Sequence, residues 1–141
     1  MWLFTKYGFY SAVCPRQGPD RRAPVDPDRI MVRARVRDHL VNLMEAFPIL
    51  AAEIEEHTGT DYAYRLHTDK RNWAKVVASL AEDIDYNNFK GEVAREVLRS
   101  GKEPDKRPRL DATYEDALHD VWGTMHCLEP EFSQNLGSQR R

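Results

Sequence analysis

The amino-acid sequence predicts an α+β fold: a ferredoxin-like antiparallel sheet, permuted to the order ββαββα and packed by helices, with one or two additional C-terminal helices. Three stretches carry this reading. In IMVRARVR, Ile30, Val32, Ala34 and Val36 alternate with Met31, Arg33, Arg35 and Arg37, the period of two of a strand with one buried face. Residues 54–67 alternate again, with Tyr62, Tyr64 and Leu66 set against Asp61, Ala63, Arg65 and His67; the turn-forming His57-Thr58-Gly59-Thr60 makes the stretch a hairpin. Trp73, Val76, Val77, Leu80, Ala81 and Ile84 then recur every three or four residues, the apolar stripe of a helix.

The remaining elements fall between these. The opening WLFTKYGFYSAV is rich in aromatic and β-branched residues and is stopped by Pro15, so residues 2–13 read as one strand. Residues 14–29 hold Pro15, Gly18, Pro19, Pro24 and Pro27 among charges, the composition of an exposed connection. After the 30–37 strand, Asp38 can cap a helix that presents Leu40, Leu43, Met44 and Phe47 and ends at Pro48. Asp69 caps the Trp73 helix. Asp85 restarts a helix through Tyr86, Phe89, Val93 and Val97, and Thr113-x-x-Asp116 has the form of a capping box ahead of Tyr114, Leu118, Val121, Trp122 and Met125. Residues 1–98 and 110–128 thus read as a single domain, 99–109 as a flexible insertion of Lys, Asp, Arg and Pro, and 129–141 as a disordered polar tail.

Moving the last strand of a βαββαβ plan to the front gives this order of elements, and it predicts a sheet in the order first, second, fourth, third strand. The apolar sets of the two central strands then face the helices. Their other sets, Arg33, Arg35, Arg65 and His67, gather on the opposite face.

A chain of 141 residues suits one hydrophobic core. With 41% hydrophobic and 31% charged residues and a net charge of -2, the composition is that of an ordinary globular protein and excludes one coated in positive charge to grip nucleic acid. No segment approaches the roughly 18 consecutive apolar residues of a membrane span, and the first residues read as structure rather than as a targeting signal. Cys14 and Cys127 lack disulfide-framework or metal-ligand spacing, which points to a reducing cytoplasm and to no metal or other cofactor.

Few residues suggest chemistry. The arginines of the sheet face, with His67, suit a phosphate, carboxylate or nucleic-acid backbone, because guanidinium forks bind oxyanions through paired hydrogen bonds; cross-strand pairing with Glu53, Glu55 or Asp61 is the structural alternative. Lys6-Tyr7-Gly8-Phe9-Tyr10 is loosely similar to the aromatic strand of RNA-recognition domains, without their spacing or second motif. An aromatic first strand at the sheet edge also makes Tyr7 and Tyr10 anchors for a protein partner. His119 and Asp120 are adjacent on a helix and point about 100° apart, so they form no dyad by themselves. His39, His57, His67 and His126 show no metal spacing, and Asp85–Lys90 reads as a helix start that tucks in Tyr86 and Phe89.

The segments WLFTKYGF, RIMVRARVR, GTDYAYRL, DYNNFK and HDVW together resemble a family of small uncharacterised bacterial proteins over most of residues 1–98 and 112–128. The resemblance implies a bacterial cytoplasmic protein and no particular activity. The expectation is therefore a non-enzymatic binding or interaction module, for which a protein partner or self-association suits the composition better than nucleic acid. The alternatives are an anion- or nucleic-acid-binding sheet face and a small phosphoryl- or acyl-transfer enzyme in which Arg35, Arg65 and His119 share a pocket.

Overall fold

A computed structural model describes residues 1–102 and 110–128. The aromatic opening is a hairpin rather than one strand. Trp2–Thr5 (β1) and Gly8–Val13 (β2) pair antiparallel, Trp2 opposite Ser11 and Thr5 opposite Gly8. Thr5 closes the turn: its Oγ1 donates to the Gly8 carbonyl and accepts the Tyr7 N–H, both at 3.0 Å. The turn is then fastened to the far end of a helix, where Tyr7 Oη donates to an Asp83 carboxylate oxygen at 2.7 Å and Lys6 Nζ lies 3.0 Å from the same oxygen. Burial disfavours the Asp83 charge, but these two partners outweigh it and hold the carboxyl below the usual range.

Beyond the hairpin the chain follows the predicted order with shifted ends. Arg29–Ala34 is β3, Arg37–Ala46 is α1, a 3-10 turn covers Pro48–Leu50, and Glu55–Glu56 (β4) and Tyr64–Asp69 (β5) make the second hairpin. Lys70–Glu82 is α2, Phe89–Lys102 is α3 and Ala112–His126 is α4. Asp69 stands at the start of α2 as expected, although its carboxylate engages Arg29 at 3.1 Å instead of a helix N–H. Helix α1 starts one residue before Asp38, with Val36 as its cap. Helix α3 starts four residues after Asp85, where the Asn88 side chain accepts the Gly91 N–H at 3.2 Å. The cap of α4 is Asp111, which accepts the Tyr114 N–H at 3.2 Å, so the expected capping box is displaced by two residues. Helix α3 also runs through 99–102, the start of the expected insertion; the rest of that insertion, 103–109, and the 129–141 tail lie outside the described residues.

The sheet is open and five-stranded, in the order β1-β2-β3-β5-β4, with every neighbouring pair antiparallel. It departs from the expected four-stranded arrangement because the segment read as one strand folds back on itself. One face carries Tyr10, Ala12, Ile30, Val32, Ala34 and Leu66 and packs against Leu40, Leu43, Leu50, Trp73 and Val76 of α1, the 3-10 turn and α2. A second cluster joins Val93 of α3 to Leu110, Tyr114 and Leu118, and it reaches the hairpin through Phe4 and Phe9. These two rings are opposite each other in the register and lie on the face away from Leu3 and Tyr10. Helices α3 and α4 thus cover the second face at the hairpin end. Neither cluster includes Met31, Arg33, Arg65 or His67, which share that face further along and stay partly exposed.

Among the described glycines, Gly8 has the closest neighbours. It has φ of 142°, and a Cβ built there would lie 2.4 Å from Cγ of His39. Backbone strain and overlap add, so Gly8→Ala is expected to lower the unfolding free energy by roughly 2–4 kcal/mol in urea titrations. Gly59→Ala, at φ of 69° with nothing within 4 Å, is expected to cost only about 1 kcal/mol. Equal losses at the two sites would show that the Gly8–His39 approach is not what constrains the hairpin.

Candidate functional site

A cleft of about 370 Å³ opens where the first hairpin, the β3–α1 junction and α4 meet. Trp2, Phe4 and Phe9 form one wall, Tyr114, Leu118 and Val121 the other, and Arg35, Val36, His39 and Tyr62 the ends. The aromatic wall is ordered by contact between rings. Phe4 stacks on Phe9 at 4.6 Å, Trp2 meets Phe9 edge-on at 5.7 Å, and Tyr62 is tilted against Phe9 at 6.4 Å. Trp2 remains 68% exposed, so the cleft opens onto apolar surface.

His39 is the buried polar group of the cleft. Its Nδ1 accepts the Phe9 N–H at 3.3 Å, its backbone carbonyl accepts the Tyr10 hydroxyl at 2.7 Å, and Tyr114 packs edge-on against the ring at 5.0 Å. Burial pushes the imidazole pKa below its ordinary value, against the opposing charge of Asp111. An N–H donor aimed at Nδ1 also requires that nitrogen to be unprotonated, leaving Nε2 to carry the proton of the neutral ring. Tyr114 is tied down in turn, its hydroxyl donating to the Thr5 carbonyl at 3.0 Å, and burial raises its pKa further out of reach. Burial likewise holds the Tyr10 hydroxyl well above its usual pKa.

The arginines separate into two groups. Arg33 faces Ser11 on β2 and Arg65 on β5 in the strand register, with His67 two residues further along β5 on the same face. Arg35 lies past the end of β3, reaches Asp61 at 3.4 Å and lines the cleft. Carboxylate pairing occurs at Arg35 with Asp61 and at His67 with Glu55 (3.5 Å), two of the anticipated carboxylates, and also at Arg37 with Glu56 (2.6 Å). Among the described residues it does not occur at Arg33 or Arg65. The Arg33 guanidinium donates to Ser11 Oγ at 2.8 Å and lies 4.6 Å from the Tyr62 ring centre.

The edge role expected of the tyrosines is corrected. Tyr10 belongs to β2, the second strand, and is fully buried; Tyr7 sits in the turn, bonded to Asp83. Within the stretch likened to RNA-recognition domains, Phe9 is half-buried, packed against the second cluster and lining the cleft. His119 is exposed on α4 and does not line the cleft, so Arg35, Arg65 and His119 are not brought together. The described residues contain no group of three or more His, Cys, Asp or Glu placed to hold a metal. His39 and Tyr114 were not singled out from the sequence as site residues. The missed signal was the phase change at Gly8, which puts Trp2 and Phe4 on the same face as Phe9.

The lowered pKa of His39 makes a signed expectation. The unfolded chain takes up this proton near pH 6.5, whereas the folded chain resists it, so stability contributed by neutral His39 is present above that pH and is lost as pH falls below it. Urea unfolding between pH 7.5 and 5 should show this fall, and His39→Asn, which keeps an acceptor near the Phe9 amide without titrating, should flatten it. An undiminished slope in the variant would assign the effect to another group. No protein-family model, curated protein or solved structure matches the chain, so the reading of the site rests on these residues.

Proposed function

We propose that the chain is a non-enzymatic interaction module whose cleft seats an apolar side chain of a partner polypeptide. The observation that carries this reading is the continuity of the cleft with exposed apolar surface. Val121 of the wall is followed at helical spacing by Met125 and then Leu128, which are 55% and 72% exposed, with Trp2 at 68% on the opposite rim. A small-molecule pocket encloses its ligand, whereas a protein anchor enters from one side and leaves a surrounding apolar rim to be covered. The transfer-enzyme alternative finds less support, because Arg65 and His119 lie away from the cleft that Arg35 lines.

Two finer readings belong to the same proposal. The segments from β2 to β5 with α1 and α2 form a permuted ferredoxin-like unit to which β1 adds an edge strand. In support, α1 connects β3 to β4, which run in the same direction on either side of β5. The protein works in a bacterial cytoplasm, in keeping with the segment resemblance. Among the described residues, no helix is long and apolar enough to cross a membrane.

Selection of a displayed random-peptide library on the immobilised full chain tests the cleft. Peptides with an aromatic or branched aliphatic anchor are expected to enrich, and to bind Val121→Glu at least tenfold more weakly, while Leu98→Glu, an exposed apolar position away from the cleft, leaves binding unchanged. Failure of the library to enrich any such peptide, or equal binding to Val121→Glu, would remove the proposal.

A further inference from the structure

Across Tyr62 from the cleft, the sheet holds a second surface built on charge. The register places Arg33 directly opposite Arg65, two like charges on adjacent strands, an arrangement that by itself opposes folding. The carboxylates that could relieve it are engaged elsewhere. Glu55, the cross-strand neighbour of Arg65, lies 3.5 Å from His67 instead, and Asp61 lies 3.4 Å from Arg35. The two guanidinium groups are held by neutral atoms. Arg33 has Ser11 Oγ and the Tyr62 ring; among the described residues Arg65 has only long contacts, from Nη2 to Thr60 Oγ1 at 3.5 Å and from Nη1 to Met31 Sδ at 3.7 Å. The Nε atoms of both arginines are buried and lack a hydrogen-bond partner among the described residues.

Two adjacent cations, oriented but not neutralised, with donors left open, match an anion of two negative charges and several acceptor oxygens. We propose that Arg33 and Arg65 form a binding site for a dianionic phosphate group, as inorganic phosphate or a phosphomonoester. A phosphate between them cancels the repulsion, and it replaces the two long contacts of Arg65 with short charge-assisted bonds. Thr60 and Tyr62 belong to the β4–β5 connection, residues 57–63, which lies against both guanidiniums; His57 and Gly59 bend it at φ of 54° and 69°. Entry of the anion along the Nε edge displaces this connection from Arg65. The site is independent of the cleft reading, and either proposal can fail alone.

The test uses the full chain, titrated calorimetrically and melted thermally with inorganic phosphate, phenyl phosphate and a single-stranded RNA oligonucleotide, against chloride at equal ionic strength. Saturable binding of inorganic phosphate is expected, with a rise in melting temperature beyond that in chloride. Tighter binding of phenyl phosphate would identify the monoester as the better source. Arg65→Gln and Arg33→Gln should each weaken phosphate at least tenfold, and Arg71→Gln, at an exposed arginine of α2, should not. In phosphate-free buffer, Arg65→Gln should melt no lower than the natural chain, because it removes a repulsion; a purely structural arginine would give the opposite sign. If Arg65→Gln does not fold, Arg65→Lys keeps the charge, loses the fork and should still bind more weakly. The proposal is overturned if phosphate acts no differently from chloride, if both single variants retain the full phosphate response, or if the RNA phosphodiester binds more tightly than both inorganic phosphate and phenyl phosphate.

Discussion

The contact between His39 and the backbone of Gly8 is the constraint on which the rest of the structure depends. A glycine without a Cβ lets the first turn of α1 press onto the start of β2, and three further interactions are set by that approach: the Phe9 N–H to the ring, the Tyr10 hydroxyl to the His39 carbonyl, and the edge of Tyr114 against the imidazole. Tyr10 belongs to the core under α1 and α2, whereas Tyr114 belongs to the cluster under α3 and α4. His39 therefore joins the two hydrophobic clusters through a single residue, by its backbone carbonyl to Tyr10 and its ring to Tyr114. It does so as a neutral ring, which burial favours, with its Nδ1 accepting the Phe9 N–H.

The hairpin is held from the opposite side as well. Lys6 and Tyr7 converge on Asp83 at the end of α2, so the turn is fixed to one helix while the strand that follows it is fixed to another. The Asp83 side chain is 36% exposed, and solvent screening limits such a tie to about 1 kcal/mol or less. The buried contacts at Gly8 are thus the stronger determinant of where Phe4 and Phe9 point. The direction of those two rings decides whether α4 has a surface to pack on, and the cleft is the space left where α4 meets the hairpin without closing on it.

Period-two alternation located β3 and β5 within a few residues, and the helical stripe located α2, because each of these elements has one wholly apolar face. The opening hairpin lacked that clarity. Lys6-Tyr7-Gly8 contains one strong turn former between aromatic runs, and a continuous reading puts Phe9 and Tyr10 on the wrong sides. That single error made Tyr10 an edge residue when it is core. Arg33, Arg65 and His67 were legible as a shared face, since they depend only on alternation and strand order. Arg35 was not, because β3 ends at Ala34 and alternation no longer governs the next side chain. His39 carries no spacing signal at all. Its environment is made by Gly8 and Tyr114, 31 and 75 positions away by their numbers in the chain.

Tyr62 connects the two surfaces. Its ring lines the cleft, where it tilts against Phe9, and it carries the guanidiniums of Arg33 at 4.6 Å and Arg35 at 5.2 Å. A tyrosine only 4% exposed between a greasy wall and two cations is held on both sides by its π-system, by ring contact on one and by cation attraction on the other. The 57–63 connection that supplies it is also secured by local bonds, from the Thr58 and Thr60 hydroxyls to the Tyr62 carbonyl, and by Asp61 to Arg35 at 3.4 Å. The position of that connection therefore depends in part on the same ring that separates the cleft from the arginine pair. Apolar binding at one surface and charge binding at the other are adjacent chemistries divided by one side chain, and the orientation of Tyr62 is the physical quantity they share.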